Sequence, residues 1–169
     1  TCKRGNLGKP NSDESKNIYP YYSAKSISGY LDSYEFSGPS VMLNYRVNTK
    51  CKNYSICQFI KSGKYNCSRF SWVLKLKDES IIVDYLYHFL ENCVDYTPLI
   101  KGSIPEINST NLKNKIKIPI PSIEIQKELI KIFEQKEQKI QEIRDDIVNK
   151  KKYITELNEL AKDIIRVYC

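Results

Sequence analysis

Apolar residues follow two different periods along this chain, and the change falls near Pro121. Before it the signals are short and mostly of period two. Val41, Leu43 and Tyr45 alternate with Met42 and Asn44, which predicts a strand over 40–45, and 54–60 is a second candidate. The clearest strand covers 70–77: Phe70, Trp72, Leu74 and Leu76 share one face, while Ser71, Val73, Lys75 and Lys77 take the other. A helix is predicted over 80–92, with Ile82, Leu86, Phe89, Leu90 and Cys93 on one side. Residues 1–35 are rich in Ser, Asn, Gly and Tyr and read as loops and short strands, and 98–109 reads as loop. A short apolar run over 116–120 is closed by Pro119 and Pro121.

A single long helix is predicted after that. Ser122 is a plausible N-cap and Glu124 lies in the first turn, where the helix dipole favours negative charge. No Pro or Gly interrupts the chain from there to Cys169. Steps of four and three pick out Leu129, Phe133, Lys136, Ile140, Ile143, Ile147, Lys150, Ile154, Leu157, Ala161, Ile164 and Tyr168, of which ten of twelve are apolar. A repeat of seven sustained this long is a coiled-coil seam, and Lys136 and Lys150 are polar seam residues of the kind that fix register. Forty helical residues extend about 60 Å. A domain made of the first 121 residues is about 30–35 Å across. The seam therefore needs a second helix. The expected division is a globular domain over 1–121 and a dimerising or spacer helix over 122–169, with Leu129, Phe133, Ile140, Ile143, Ile147, Ile154, Leu157, Ala161 and Ile164 as the dimerisation residues.

Charge sharpens this division. The net charge is +7. Residues 1–121 hold 17 Lys/Arg against 10 Asp/Glu, while 122–169 hold 10 of each, so the whole excess belongs to the first segment. A basic globular domain joined to a neutral helix points to a polyanion partner for the domain alone. The longest apolar runs are too short to cross a membrane, and the polar start Thr1-Cys2-Lys3-Arg4-Gly5 lacks a signal peptide's apolar core. The six cysteines form no C-x-x-C pair and His88 is the only histidine, so reduced thiols in a cytoplasmic protein are expected rather than a metal site.

Catalytic patterns are missing from the sequence. It has no G-x-G-x-x-G, no G-x-x-x-x-G-K-[ST] and no G-x-S-x-G. It has no Pro-Pro pair of the kind found in an adenine methyltransferase loop, and no Pro-Asp of the kind found in a metal-dependent nuclease. His88 sits among apolar residues on the predicted helix and reads as structural. No catalytic residue, metal or cofactor is expected.

Two stretches resemble a known family. The first is Tyr19-Pro20-Tyr21-Tyr22-Ser23-Ala24, followed by Ile27-Ser28-Gly29-Tyr30-Leu31, by Tyr34-Glu35-Phe36-Ser37-Gly38 and by Val41-Met42-Leu43. The second is Gly102-Ser103-Ile104-Pro105, then Leu112, then Ile116-Lys117-Ile118-Pro119-Ile120-Pro121-Ser122-Ile123-Glu124-Ile125-Gln126. In this order, and followed by a heptad helix, they resemble the opening and the exit of a target recognition domain in Type I restriction-modification specificity subunits.

The resemblance implies an α/β (α+β) recognition domain with a twisted sheet and few helices, followed by a long coiled-coil helix. It implies contact with one half of a bipartite double-stranded DNA site. Methylation and cleavage would lie on separate methyltransferase and restriction subunits. Full-length members carry two such domains and two antiparallel helices, so one domain and one helix imply a homodimer or a second recognition half. Candidate DNA contacts are the basic residues of the middle segment, Arg46, Lys50, Lys52, Lys61, Lys64 and Arg69, interleaved with Asn, Gln, Ser and Tyr. The Tyr19–Tyr34 tyrosines read as packing residues. Two other readings stay open on sequence alone: a coiled-coil assembly protein whose basic domain binds an acidic protein, and a fragment of a single-chain restriction enzyme-methyltransferase.

Overall fold

The computed structural model describes residues 2–5, 18–23, 26–45, 56–101, 106–107 and 109–168. Arg46, Lys50, Lys52, the start of the 54–60 strand and the Gly102–Pro105 motif lie outside the described residues. The chain divides into two compact units, Thr1–Lys127 and Glu128–Cys169.

Among the described residues the first unit runs β1 (Cys2–Arg4), β2 (Tyr19–Ser23), β3 (Ser26–Leu31), β4 (Phe36–Ser37), β5 (Ser40–Asn44), β6 (Cys57–Ile60), β7 (Lys64–Cys67), β8 (Ser71–Leu74) and α1 (Val83–Asn92). A 3-10 turn (Thr97–Leu99), β9 (Ile100–Lys101), β10 (Glu106–Ile107) and α2 (Ser109–Lys115) follow, before α3 (Ile123–Tyr168). The strands form two four-stranded sheets and one small pair. The first sheet is antiparallel throughout, in the order β1-β8-β5-β6. The second is mixed, in the order β3-β2-β7-β4, with β2 and β7 parallel. β9 and β10 pair on their own.

The first sheet lies between two apolar layers, which explains the unbroken Val41-Met42-Leu43. Side chains alternate along a strand, so neighbours face opposite sides. Val41 and Leu43 join Leu86 and Leu90 of α1, Leu99, Ile107 and Leu112 on one side. Met42 and Val73 join Phe36, Tyr65 and Cys67 of the second sheet on the other. Phe70, Trp72, Leu74 and Leu76 all pack against the helical side, as their alternation predicts. The chain crosses between sheets at two glycines. Gly63 has φ +88°, a left-handed conformation that suits glycine. At Gly38 a Cβ would lie 2.8 Å from the Ile60 carbonyl oxygen, and the Gly38 N–H donates to the Gly63 carbonyl at 2.9 Å.

α1 buries Tyr85, Leu86, His88 and Leu90. Cys93, expected on that face, is exposed, because it falls at the C-cap, where the helix ends. His88 is buried with its ring 4.9 Å from that of Tyr87, consistent with a structural part.

The first turn of α3 is held by two devices. The Ile125 N–H donates to the Ser122 hydroxyl oxygen at 3.5 Å, the N-cap arrangement read from the sequence. Gln126 is fully buried and uses both ends of its amide. Its Oε1 accepts from the Ile82 N–H at 2.8 Å, and its Nε2 donates to the carbonyls of Ser80 at 2.7 Å and Pro121 at 2.9 Å. A buried amide is favourable only when satisfied in this way.

The second unit is α3 from Glu128 onward. Its apolar seam is open: Ile140 is 38% exposed, Ile143 51%, Ile147 47% and Ile154 56%. Leu157 and Ile164 are similarly exposed and Ala161 is exposed, while Leu129 and Phe133 are half-buried. Its surface carries pairs within the helix, such as Lys150–Asp146 at 2.8 Å and Lys139–Glu142 at 3.1 Å.

Candidate nucleic-acid interface

Lys61, Lys64 and Arg69 lie close in sequence, but the fold separates them into two basic centres. Lys61 follows β6 and Lys64 opens β7, while Arg69 lies in the turn after β7. An extended strand advances about 3.3 Å per residue, so the Lys64 and Cys67 ends of β7 are roughly 10 Å apart, with Arg69 two residues further on.

At the first centre Lys64 lies opposite Ser37 of β4. Its Nζ stands 4.3 Å from the centre of the exposed Tyr34 ring, which lies 5.0 Å from that of Tyr19. An ammonium over a ring face is held without losing its charge. The Lys75 ammonium donates to the Ser37 hydroxyl at 3.2 Å, adding a third lysine beside the exposed Lys61 and Lys64. The loop bearing Tyr34 is fixed by buried Asn66, whose Oδ1 accepts from the Glu35 N–H at 2.9 Å and whose Nδ2 donates to the Ser33 carbonyl at 2.7 Å. Tyr19 and Tyr34 thus pack on each other as expected, and Tyr34 also carries a cation.

The second centre was not visible in the sequence pattern. Arg4, on edge strand β1, donates through Nε to the Arg69 carbonyl at 2.6 Å and through a terminal nitrogen to the Tyr45 hydroxyl. The Tyr45 hydroxyl in turn donates to the same carbonyl at 3.0 Å. The guanidinium carbons of Arg4 and Arg69 lie 5.0 and 4.9 Å from the rings of Tyr45 and Phe70, whose centres are 6.0 Å apart. Among the described residues neither guanidinium meets a carboxylate. Two arginines on adjoining rings offer the fork that phosphate oxygens or a guanine edge accept. Tyr45 is also the residue before Arg46. The Glu91 carboxylate accepts from the Ile56 and Cys57 N–H groups at 3.2 and 2.9 Å.

The described cysteines of the core offer no reactive thiol. Burial pushes the Cys67 thiol up to about 12 and that of Cys57 still higher, so both stay protonated. Among the described residues no three His, Cys, Asp or Glu side chains gather as a metal site, and no helix is long and apolar enough to cross a membrane.

A mixed two-sheet domain continuing into one long helix is also the architecture of known specificity subunits. The family described as "Type I restriction modification DNA specificity domain" matches residues 1–153, and the chain belongs to it. A putative type I restriction enzyme specificity subunit of Haemophilus influenzae is 30% identical over 115 residues, which is 68% of this chain and 29% of that protein. Among solved structures, the type I restriction-modification system S subunit of M. genitalium aligns with a TM-score of 0.57 at 18% identity, covering 86% of this chain and 38% of that one. A chain solved in a study of complex assembly and conformational transition of the type I R-M system aligns with a TM-score of 0.58 at 16% identity, covering 84% and 37%. This chain therefore spans about a third of the length of these relatives.

Proposed function

We propose that this chain reads DNA for a Type I restriction-modification system and performs no catalysis itself. In this reading the domain over 1–121 contacts one half of a bipartite duplex site. The helix over 122–169 pairs antiparallel with another copy, or with a second recognition half, and holds two domains at a fixed spacing. Methylation and cleavage fall to methyltransferase and restriction subunits in the cytoplasm. The observation that carries the proposal is the pair of basic centres flanking β7, exposed Lys61 and Lys64 with half-buried Lys75 at one end and exposed Arg4 and Arg69 at the other, in a unit holding the whole charge excess.

Salt-dependent binding tests it. Each phosphate contact contributes about 0.9 to the slope of log affinity against log salt. Replacing Lys50, Lys52, Lys61 and Lys64 by Gln flattens that slope and weakens binding to every duplex alike. Arg4→Gln and Arg69→Gln, at the arginine fork, alter discrimination between sequences as well. An unchanged slope in the quadruple variant places the DNA face elsewhere, and no binding by the wild-type chain at low salt counts against the reading.

A further inference from the structure

Resting on the reading of α3 as a dimerisation helix, we infer that it pairs with α3 of a second copy in one antiparallel register, with the two-fold axis between Gln141 and Glu142. The rows that flank the seam carry this register. On one side of the seam the residues at seven-residue spacing are Ile125, Ile132, Lys139, Asp146, Tyr153 and Leu160. Read from its centre outward, this row is cation against anion, then apolar against apolar twice. The four apolar members are exposed in the single chain, between 48% and 61%. On the other side Glu137 and Arg144 occupy the central flanking positions.

In an antiparallel pair like flanks meet like flanks. With the axis between Gln141 and Glu142, Lys139 meets Asp146 of the second copy, Ile132 meets Tyr153 and Ile125 meets Leu160. On the other flank Glu137 meets Arg144. Each of these contacts occurs twice by symmetry, and each is offset by only about 3 Å along the axis at 1.5 Å per residue. At the seam Ile140 packs on Ile143 of the second copy. Lys136 and Lys150 face Ile147 and Phe133 rather than another cation.

The alternatives bring like charges together. Sliding one heptad toward the C-terminus sets Arg144 and Asp146 against their own counterparts. Sliding one heptad the other way does the same to Glu137 and Lys139. A parallel pair opposes Lys136 to Lys136 and Lys150 to Lys150 within the seam, and sets Lys139 beside Arg144. The row from Ile125 to Leu160 is complementary to its own reversal, which points to a second copy of the chain as the occupant of this face.

Charge exchange on the full chain, read by sedimentation equilibrium, tests the register. Lys139→Glu and Asp146→Lys should each weaken the dimer roughly tenfold at low salt, since each turns two attractions into repulsions. The double variant should recover wild-type affinity. Lys139 and Asp146 are seven residues apart, about 10 Å along one helix, so recovery cannot arise within a chain. Circular dichroism confirms that each variant keeps its helix. Single variants that dimerise like wild type, or a double variant that does not recover, overturn the register and leave the dimer standing. A wild-type chain that stays monomeric at hundreds of micromolar overturns both.

Discussion

The two units place their apolar residues in opposite ways. In the first, Val41, Met42 and Leu43 are wholly buried between helices on one side and a second sheet on the other. In the second, Ile143 and Ile154 are more than half exposed, as are Leu160 and Ile165. The first unit buries a core within one chain, although Ile18 and Ile120 stay exposed, while the second holds a patterned apolar stripe that one chain leaves in water. Exposed apolar area of this extent marks a surface built for a partner. On the proposed reading, stability in the first unit is a property of the chain, and order in the second is a property of the assembly.

The sharpest break in that comparison is a crossed pair of substitutions. Ile143→Asp places an unpaired carboxylate in the seam of each copy, a cost of several kcal/mol, about 2–7 for a buried polar group. Sedimentation should show the dimer lost while the melting of the first unit is unchanged. Leu43→Ala should do the reverse, lowering the unfolding free energy of the first unit by about 2–5 kcal/mol and leaving dimer affinity intact. If either change moved both quantities together, the two units would not be energetically separate.

A smaller effect is expected at Gln126, which belongs to the first unit although it begins the helix. Gln126→Ala strands the Ile82 N–H and the Ser80 carbonyl, and should cost about 1–3 kcal/mol per group left unsatisfied. Hydrogen exchange should quicken at Ile82 and across the first turn of α3, and remain unchanged from Ile140 onward. Exchange that quickened evenly along α3 would contradict the division.

The two units were also unequally legible in the sequence. The helix announced itself because a seven-residue repeat needs nothing beyond the chain. β5, β8 and α1 were readable for a similar reason: their apolar residues point at a core. The second sheet was not, because β3 is largely exposed and β2 buries only Tyr21 fully, with Tyr19 and Tyr22 half-buried. α2 was missed because its sequence, Ser-Thr-Asn-Leu-Lys-Asn-Lys, shows one apolar anchor, Leu112. Among the basic residues, proximity in sequence misled: Lys64 and Arg69 were grouped, yet an extended strand carries them to different centres. Arg4 is far from Arg69 in sequence and joins it because β1 pairs with β8, with Arg4 opposite Trp72. Gln126 was visible as part of a motif, but its role appears only once the loop at Ser80 is seen to close on it.

A DNA reader that works in pairs is tested most directly by the stoichiometry of its complex with duplex DNA. The account predicts two chains per duplex, bound with an affinity that falls steeply with salt, and Ile143→Asp reducing the complex to one chain of much weaker affinity. One wild-type chain per duplex, or binding indifferent to salt and to Ile143→Asp, would contradict it.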